Sequence, residues 1–175
     1  MRIILLIVLL FIFSSATTNI RNNYPVPEQT QERLFFIQRN INSNTIVYDA
    51  KFDQHGNLDK YSLMDIYWIR YDEKGQRMEL RKIEKNLAFG IEFTQMGNCN
   101  NHYKVNIVAE KNRDIFLKQI APFKAKAYLE IDNKMSQLTY LYLNADDSGL
   151  WPELKSIEYF GIDTLTQKNT YEKVL

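Results

Sequence analysis

From Leu34 to Gln167 the chain repeats one pattern: a short run of alternating or apolar residues, then a few turn formers. "NTIVYDAKF" runs into "DQHGN", "MDIYWIRY" into "DEKG", and later runs are separated by "MGNCNN", "EKNR" and "IDNK". Side chains on a strand alternate between faces with a period of two, so runs of this length and period predict β-strands. The pattern gives strands over Leu34 to Gln38, Asn44 to Phe52, Met64 to Tyr71, Phe89 to Gln95, His102 to Ala109, Asp114 to Ile120, Lys124 to Ile131 and Met135 to Asn144. "LKSIEYFGIDTLTQ" adds a last strand, and Tyr171 to Leu175 reads as a fraying end. Short polar turns favour antiparallel hairpins over parallel βαβ units. The expected fold is therefore mostly β: a single antiparallel barrel or a two-sheet sandwich of eight or nine strands. The abundant rings, 11 Tyr, 10 Phe and 2 Trp, point the same way, because aromatic residues favour strands and carry large buried areas.

One segment breaks the period. In "QRMELRKIEKNLAFG" the apolar residues Leu80, Ile83, Leu87 and Ala88 recur at helical spacing between Gly75 and Gly90. This predicts one amphipathic helix over about residues 77–88, with Arg77, Arg81, Lys82 and Lys85 on a solvated face.

The N-terminus reads as a targeting segment. Met1-Arg2 is a short positive region, Ile3 to Phe13 is unbroken and apolar, and Ser14-Ser15-Ala16 supplies the small residues of a cleavage site. Eleven apolar residues are too few to cross a bilayer, which takes about 20. The expected organisation is a signal peptide over 1–16, cleaved after about Ala16, an extended polar arm over 17–32 broken by Pro25 and Pro27, and one β-rich domain over 33–175. The expected location is outside the cytoplasm: periplasm, cell surface or medium. Cleavage removes Arg2, one of 22 basic residues, and no acid, which leaves 21 basic against 21 acidic. Neutrality and the absence of a Lys/Arg block argue against a nucleic-acid partner. With Cys99 as its single cysteine, the chain has no internal disulfide and must rest on its core.

The motifs "IQRN…NTIVYD", "YWIRY" and "LAFG", over roughly Leu34 to Asn144, resemble those of an uncharacterised family of exported bacterial domains. The resemblance implies a secreted bacterial domain and no particular activity.

Signatures of catalysis are missing. No G-x-S-x-G, P-loop, G-x-G-x-x-G or H-E-x-x-H occurs. The two histidines, His55 and His102, fall in or beside turns, and Cys99 with His102 makes at most half a metal site. Asp146-Asp147-Ser148-Gly149 lacks the spaced ligands of a calcium loop. Asp49, Asp53, Asp65 and Glu92 are strand-end acids whose spacing gives no catalytic pair. The expectation is no catalytic residue, no metal and no cofactor.

A different question arises in "MDIYWIRY", where Arg70 shares a strand face with Met64, Ile66 and Trp68. An arginine in line with a core face marks a strand end, where core gives way to solvent or to a mouth. Arg39 ends the first strand in the same way. Arginine binds anions bidentately and lies over aromatic rings, so two settings are open. In one, Arg39 and Arg70 cap strand ends, with heads on Asp49, Asp65 or Asp72. In the other, they anchor an anion in a pocket walled by Trp68, Tyr48 and Tyr67, with Gln38 and Asn44 as polar contacts. Adjacent side chains face opposite ways, so Gln38 and Arg39, or Tyr67 and Trp68, share one pocket only across a bulge. The leading functional expectation is an exported, non-enzymatic binding module for a small amphiphilic or anionic ligand. The alternatives are an envelope structural or protein-interaction domain, and an enzyme acting on an envelope glycan or lipid.

Overall fold

The computed structural model describes residues 24–97, 101–146, 148–149 and 153–174. The signal segment, the first part of the arm and Cys99 lie outside the described residues. Among those described, no helix is long and apolar enough to cross a membrane.

Among the described residues eleven strands form one hydrogen-bonded sheet: β1 (Arg33–Arg39), β2 (Asn42–Ala50), β3 (Met64–Arg70), β4 (Gln76–Glu79), β5 (Ile91–Gln95), β6 (His102–Ile107), β7 (Glu110–Ala121), β8 (Lys124–Ile131), β9 (Lys134–Asp146), β10 (Glu153–Asp163) and β11 (Asn169–Val174). Its main path runs β4-β3-β2-β1-β9-β8-β7-β6-β5, with β10 and β11 branching from β9. The branch exists because β9 is long. One edge pairs antiparallel with β8 over Lys134 to Gln137, then parallel with β1 over Tyr140 to Leu143. Its other edge pairs with β10 over Ser136 to Asp146. A single strand thus joins two meanders, β1–β4 and β5–β8, into a curled half-barrel.

The concave side is filled. Phe35, Ile37, Ile46, Tyr48, Leu117, Leu138 and Leu141 are essentially inaccessible to solvent, and Phe35 stacks on Tyr48 with centroids 4.4 Å apart. The outer face of the β1–β9–β10–β11 portion carries a second apolar layer. Phe36, Tyr140, Phe160 and Tyr171 stand in register on the four strands, with successive centroids 5.2, 4.2 and 5.1 Å apart. Cross-strand aromatic pairs of this kind stabilise sheets. Together the two layers explain why "LTYLYL" in β9 is apolar on both faces.

The described part of the arm, residues 24–32, lies against the sheet. Pro27 is buried, the Tyr24 hydroxyl donates to the Asn40 carbonyl, and Gln38 and Arg33 donate to the carbonyls of Pro25 and Glu28.

Three expectations are corrected. Among the described residues the strands number eleven, nine of them on the main path as the expected count allows and two, β10 and β11, on the branch; Gln76–Glu79 and Asn169–Val174 are strands that the periodicity does not give. The β1–β9 pair is parallel, so the sheet is not purely antiparallel. The helix over 77–88 is not formed as expected: helical structure covers only Lys82–Glu84 (α1) and the π-helical turn Lys85–Phe89. The physical reason lies in the preceding turn. Lys74 (φ 63°) and Gly75 (φ 74°) are both left-handed, which reverses the chain and sets Gln76–Glu79 against β3, with Met78 opposite Trp68. Ladder hydrogen bonds win over helical spacing. Of the periodic apolar set only Leu80 is buried, while Ile83 and Leu87 are 60% and 70% exposed.

Candidate functional site

The ends of β1, β2 and β3 converge with α1 at one end of the half-barrel. On the concave face of β3, Met64 and Ile66 are buried, Trp68 packs against the core, and Arg70 comes last. β1 repeats the sequence, with Phe35 and Ile37 in the core and Arg39 at the end. Period-two alternation therefore delivers both arginines and the indole to one mouth. The mouth is a cavity of about 240 Å³ lined by Arg39, Asn42, Asn44, Trp68, Arg70, Arg81 and Glu84.

The three guanidinium groups are held differently. Arg81 is paired to Glu84 at 2.9 Å, and the Glu84 carboxylate also accepts from the Arg81 backbone N–H at 2.7 Å. Arg70 pairs with Glu73 at 2.7 Å and approaches Asp72 at 3.9 Å. Arg39 forms no ion pair among the described residues. Its guanidinium lies over the Trp68 ring, 4.8 Å from the centroid, and donates one hydrogen bond of 3.1 Å to the Asn42 side chain. The Nε atoms of Arg39 and Arg70 are both buried without a hydrogen-bond partner. Burial pulls the Arg39 guanidinium below its ordinary value, while Glu84 and Asp72 act in the opposite sense. Burial would raise Glu84, yet its bonds to Arg81 outweigh that and hold it below the usual carboxylate range. Buried polar atoms are normally paired, so two orphaned donors at one mouth are unusual.

The structure brings together four of the seven residues named from sequence: Arg39, Asn44, Trp68 and Arg70. Asn44 is buried and donates to the Asp72 carboxylate at 2.8 Å, which braces the wall. Tyr48 lies deeper on the same face, fully buried, and its hydroxyl donates to the Phe89 carbonyl at 2.7 Å. Burial raises its pKa far beyond the ordinary tyrosine value, so it stays protonated and structural. Gln38 and Tyr67 are on the opposite face, as alternation requires. Gln38 holds the arm through Pro25, and Tyr67 donates to Asp49 at 2.7 Å beneath the guanidinium of Arg77. Asn42, Arg81 and Glu84 also line the mouth, and the strand periodicity does not point to them. The last two sit on a segment where α1 begins only at Lys82, and Glu84 three residues after Arg81 is the spacing of an opposite-charge pair, which by itself does not point to a mouth.

The candidate acids are engaged elsewhere. Asp49 is paired with Arg33, Asp65 with Arg77 and Glu92 with Lys111, while Asp53 accepts two backbone N–H groups of its own turn. Among the described residues no three His, Cys, Asp or Glu side chains cluster as metal ligands. What this mouth can do chemically is offer guanidinium donors to an anion. Neither a curated protein nor a solved structure shows significant similarity to the chain. A family model described as "Domain of unknown function (DUF4833)" matches residues 35–173, most of the chain, and the protein belongs to that family.

Proposed function

We propose that the protein is an exported, non-enzymatic binding module that holds a small anion in the mouth formed by Arg39, Arg70 and Arg81. On this reading the half-barrel works as an incomplete barrel with the mouth at one end. The observation that carries it is Arg39: a half-buried guanidinium with no carboxylate partner among the described residues and a buried, unpaired Nε. Leaving a charge and a buried donor uncompensated costs free energy, which a bound anion recovers. The cavity of about 240 Å³ suits a small oxyanion or carboxylate rather than a long chain. Its walls are mostly polar, which favours the anionic half of the expected ligand description over the amphiphilic half.

The test is a thermal-shift and calorimetric titration of the full chain with inorganic phosphate, sulfate and small carboxylates at constant ionic strength. Saturable binding in the wild type, lost in Arg39→Gln while the variant remains folded, is the expected result. Equal titrations of wild type and Arg39→Gln would refute the reading.

A further inference from the structure

A second basic feature lies on the other meander, on the outer face of β6, β7 and β8. His102 is directly opposite Lys118, and Lys118 is directly opposite Lys126, so three basic residues form one row across three neighbouring strands. Side chains opposite each other have Cβ atoms about 5 Å apart, and like charges placed so are destabilising. Neither lysine forms an ion pair among the described residues. Of the nearby acids, Asp114 pairs with Lys104 at 3.5 Å and Asp132 with Lys134 at 3.4 Å, while Glu130 stands on the same face opposite Met135, four residues along β8 from Lys126. Nothing in the fold calls for two lysines in register, since other polar residues would serve an exposed sheet face equally well.

The next row of the same face has an aromatic centre. Phe116 and Tyr128 face each other across β7 and β8, flanked by Lys104 on β6 and Gln137 on β9, and with Met96 and Met135 the two rings line a shallow, open groove of about 650 Å³ that His102 and Lys118 border. Met96 and Met135 are each 42% exposed. Thr164 also lines the groove and is tied to it, since its backbone N–H and hydroxyl both donate to the Met135 carbonyl. The following residue, Leu165, is 91% exposed. A basic row beside exposed methionines and a leucine at a turn tip has the composition of a surface that meets a charged interface.

We propose that this face docks on the surface of a bilayer containing anionic lipids. Lys118, Lys126 and His102 meet the headgroups, while Leu165, Met96 and Met135 reach the headgroup–acyl boundary. Charge complementarity carries the choice of occupant: the repulsion built into the row is relieved by an array of anions, and juxtamembrane lysines gain from such a surface. The site is separate from the arginine mouth and does not depend on it.

The test is co-sedimentation of the full chain with phosphatidylcholine vesicles, with and without about one-third phosphatidylglycerol, at low and at physiological salt. Because Met1-Arg2 is itself positive, the contribution of the N-terminal stretch is subtracted by comparing the wild type with variants that keep the same N-terminus. The wild type is expected to prefer anionic vesicles, and the preference is expected to weaken with salt. The double variant Lys118→Gln/Lys126→Gln is expected to lose about tenfold or more of that preference, with a melting temperature unchanged or raised because the repulsion is gone. Lys118→Glu provides a second arm, since a Glu facing Lys126 strengthens the sheet while removing the docking charge. No anionic preference in the wild type, or full preference retained in folded variants, would overturn the proposal.

Discussion

The guanidinium of Arg39 lies 4.8 Å from the centroid of the Trp68 ring, while Phe89 meets the same indole edge-on at 5.6 Å. Residues of two strands and of the π-helical turn are thereby fixed around one mouth. Desolvated cation–π contacts of this kind contribute about 1–2 kcal/mol. An anion that draws the guanidinium changes the field at the indole. In a Trp151→Phe background, which leaves Trp68 as the single tryptophan, emission is expected to shift on phosphate or sulfate addition, and Arg39→Gln is expected to abolish the shift. An emission spectrum that ignores the anion at saturating concentration would contradict this.

Tyr48 ties the helical segment to the core through its 2.7 Å hydrogen bond to the Phe89 carbonyl. Tyr48→Phe removes the donor, keeps the ring on Phe35, and leaves a carbonyl unpaired. The expected loss is about 1–3 kcal/mol, read as a lower urea midpoint at unchanged slope. Because the segment carries Arg81 and Glu84, anion affinity is expected to fall as well.

Two glycines are required by close approach rather than by φ. A Cβ at Gly90 would collide with the Lys85 backbone carbonyl, which accepts the Gly90 N–H that closes the π-helical turn. A Cβ at Gly161 would meet the Gln137 carbonyl oxygen and the Ile131 side chain, both at 2.8 Å, where β10 crosses β9 at a bulge. Gly161→Ala is expected to cost about 1–3 kcal/mol by calorimetry, and Gly90→Ala at least as much, because rigid backbone is the obstacle there.

Acid is expected to weaken the fold through Glu172 and Glu84. Burial would raise Glu172, but Arg113 at 2.6 Å and the Asp132 N–H outweigh it and hold it below its ordinary 4.5. A carboxyl depressed in the folded state contributes stability that is complete above the unfolded value. That contribution is lost as pH falls through the folded one. Urea midpoints are therefore expected to be flat above about pH 5 and to drop below about pH 4. Glu172→Gln is expected to be less stable at neutral pH and to show a smaller acid-dependent drop.

Local chemistry along the chain determined most of the strands of this protein. Lys124–Ile131 forms a strand over the residues its alternation predicts, and Arg39 and Arg70 reach one face because period-two geometry fixes side-chain direction within a strand. The same rule separated Gln38 and Tyr67 from them. Only the tertiary structure decided how those strands meet. The parallel contact of β1 with β9 joins segments about a hundred residues apart, and no local pattern encodes it. Gln76–Glu79 became a strand because β3 offered it a ladder, overriding helical spacing. The row of His102, Lys118 and Lys126 depends on the register of three strands, and register is set by which side chains must fill the concave core. Periodicity acts within a strand, so it can be read from the sequence. Register and edge pairing are fixed by contacts between distant strands, so they appear only when the chain is folded.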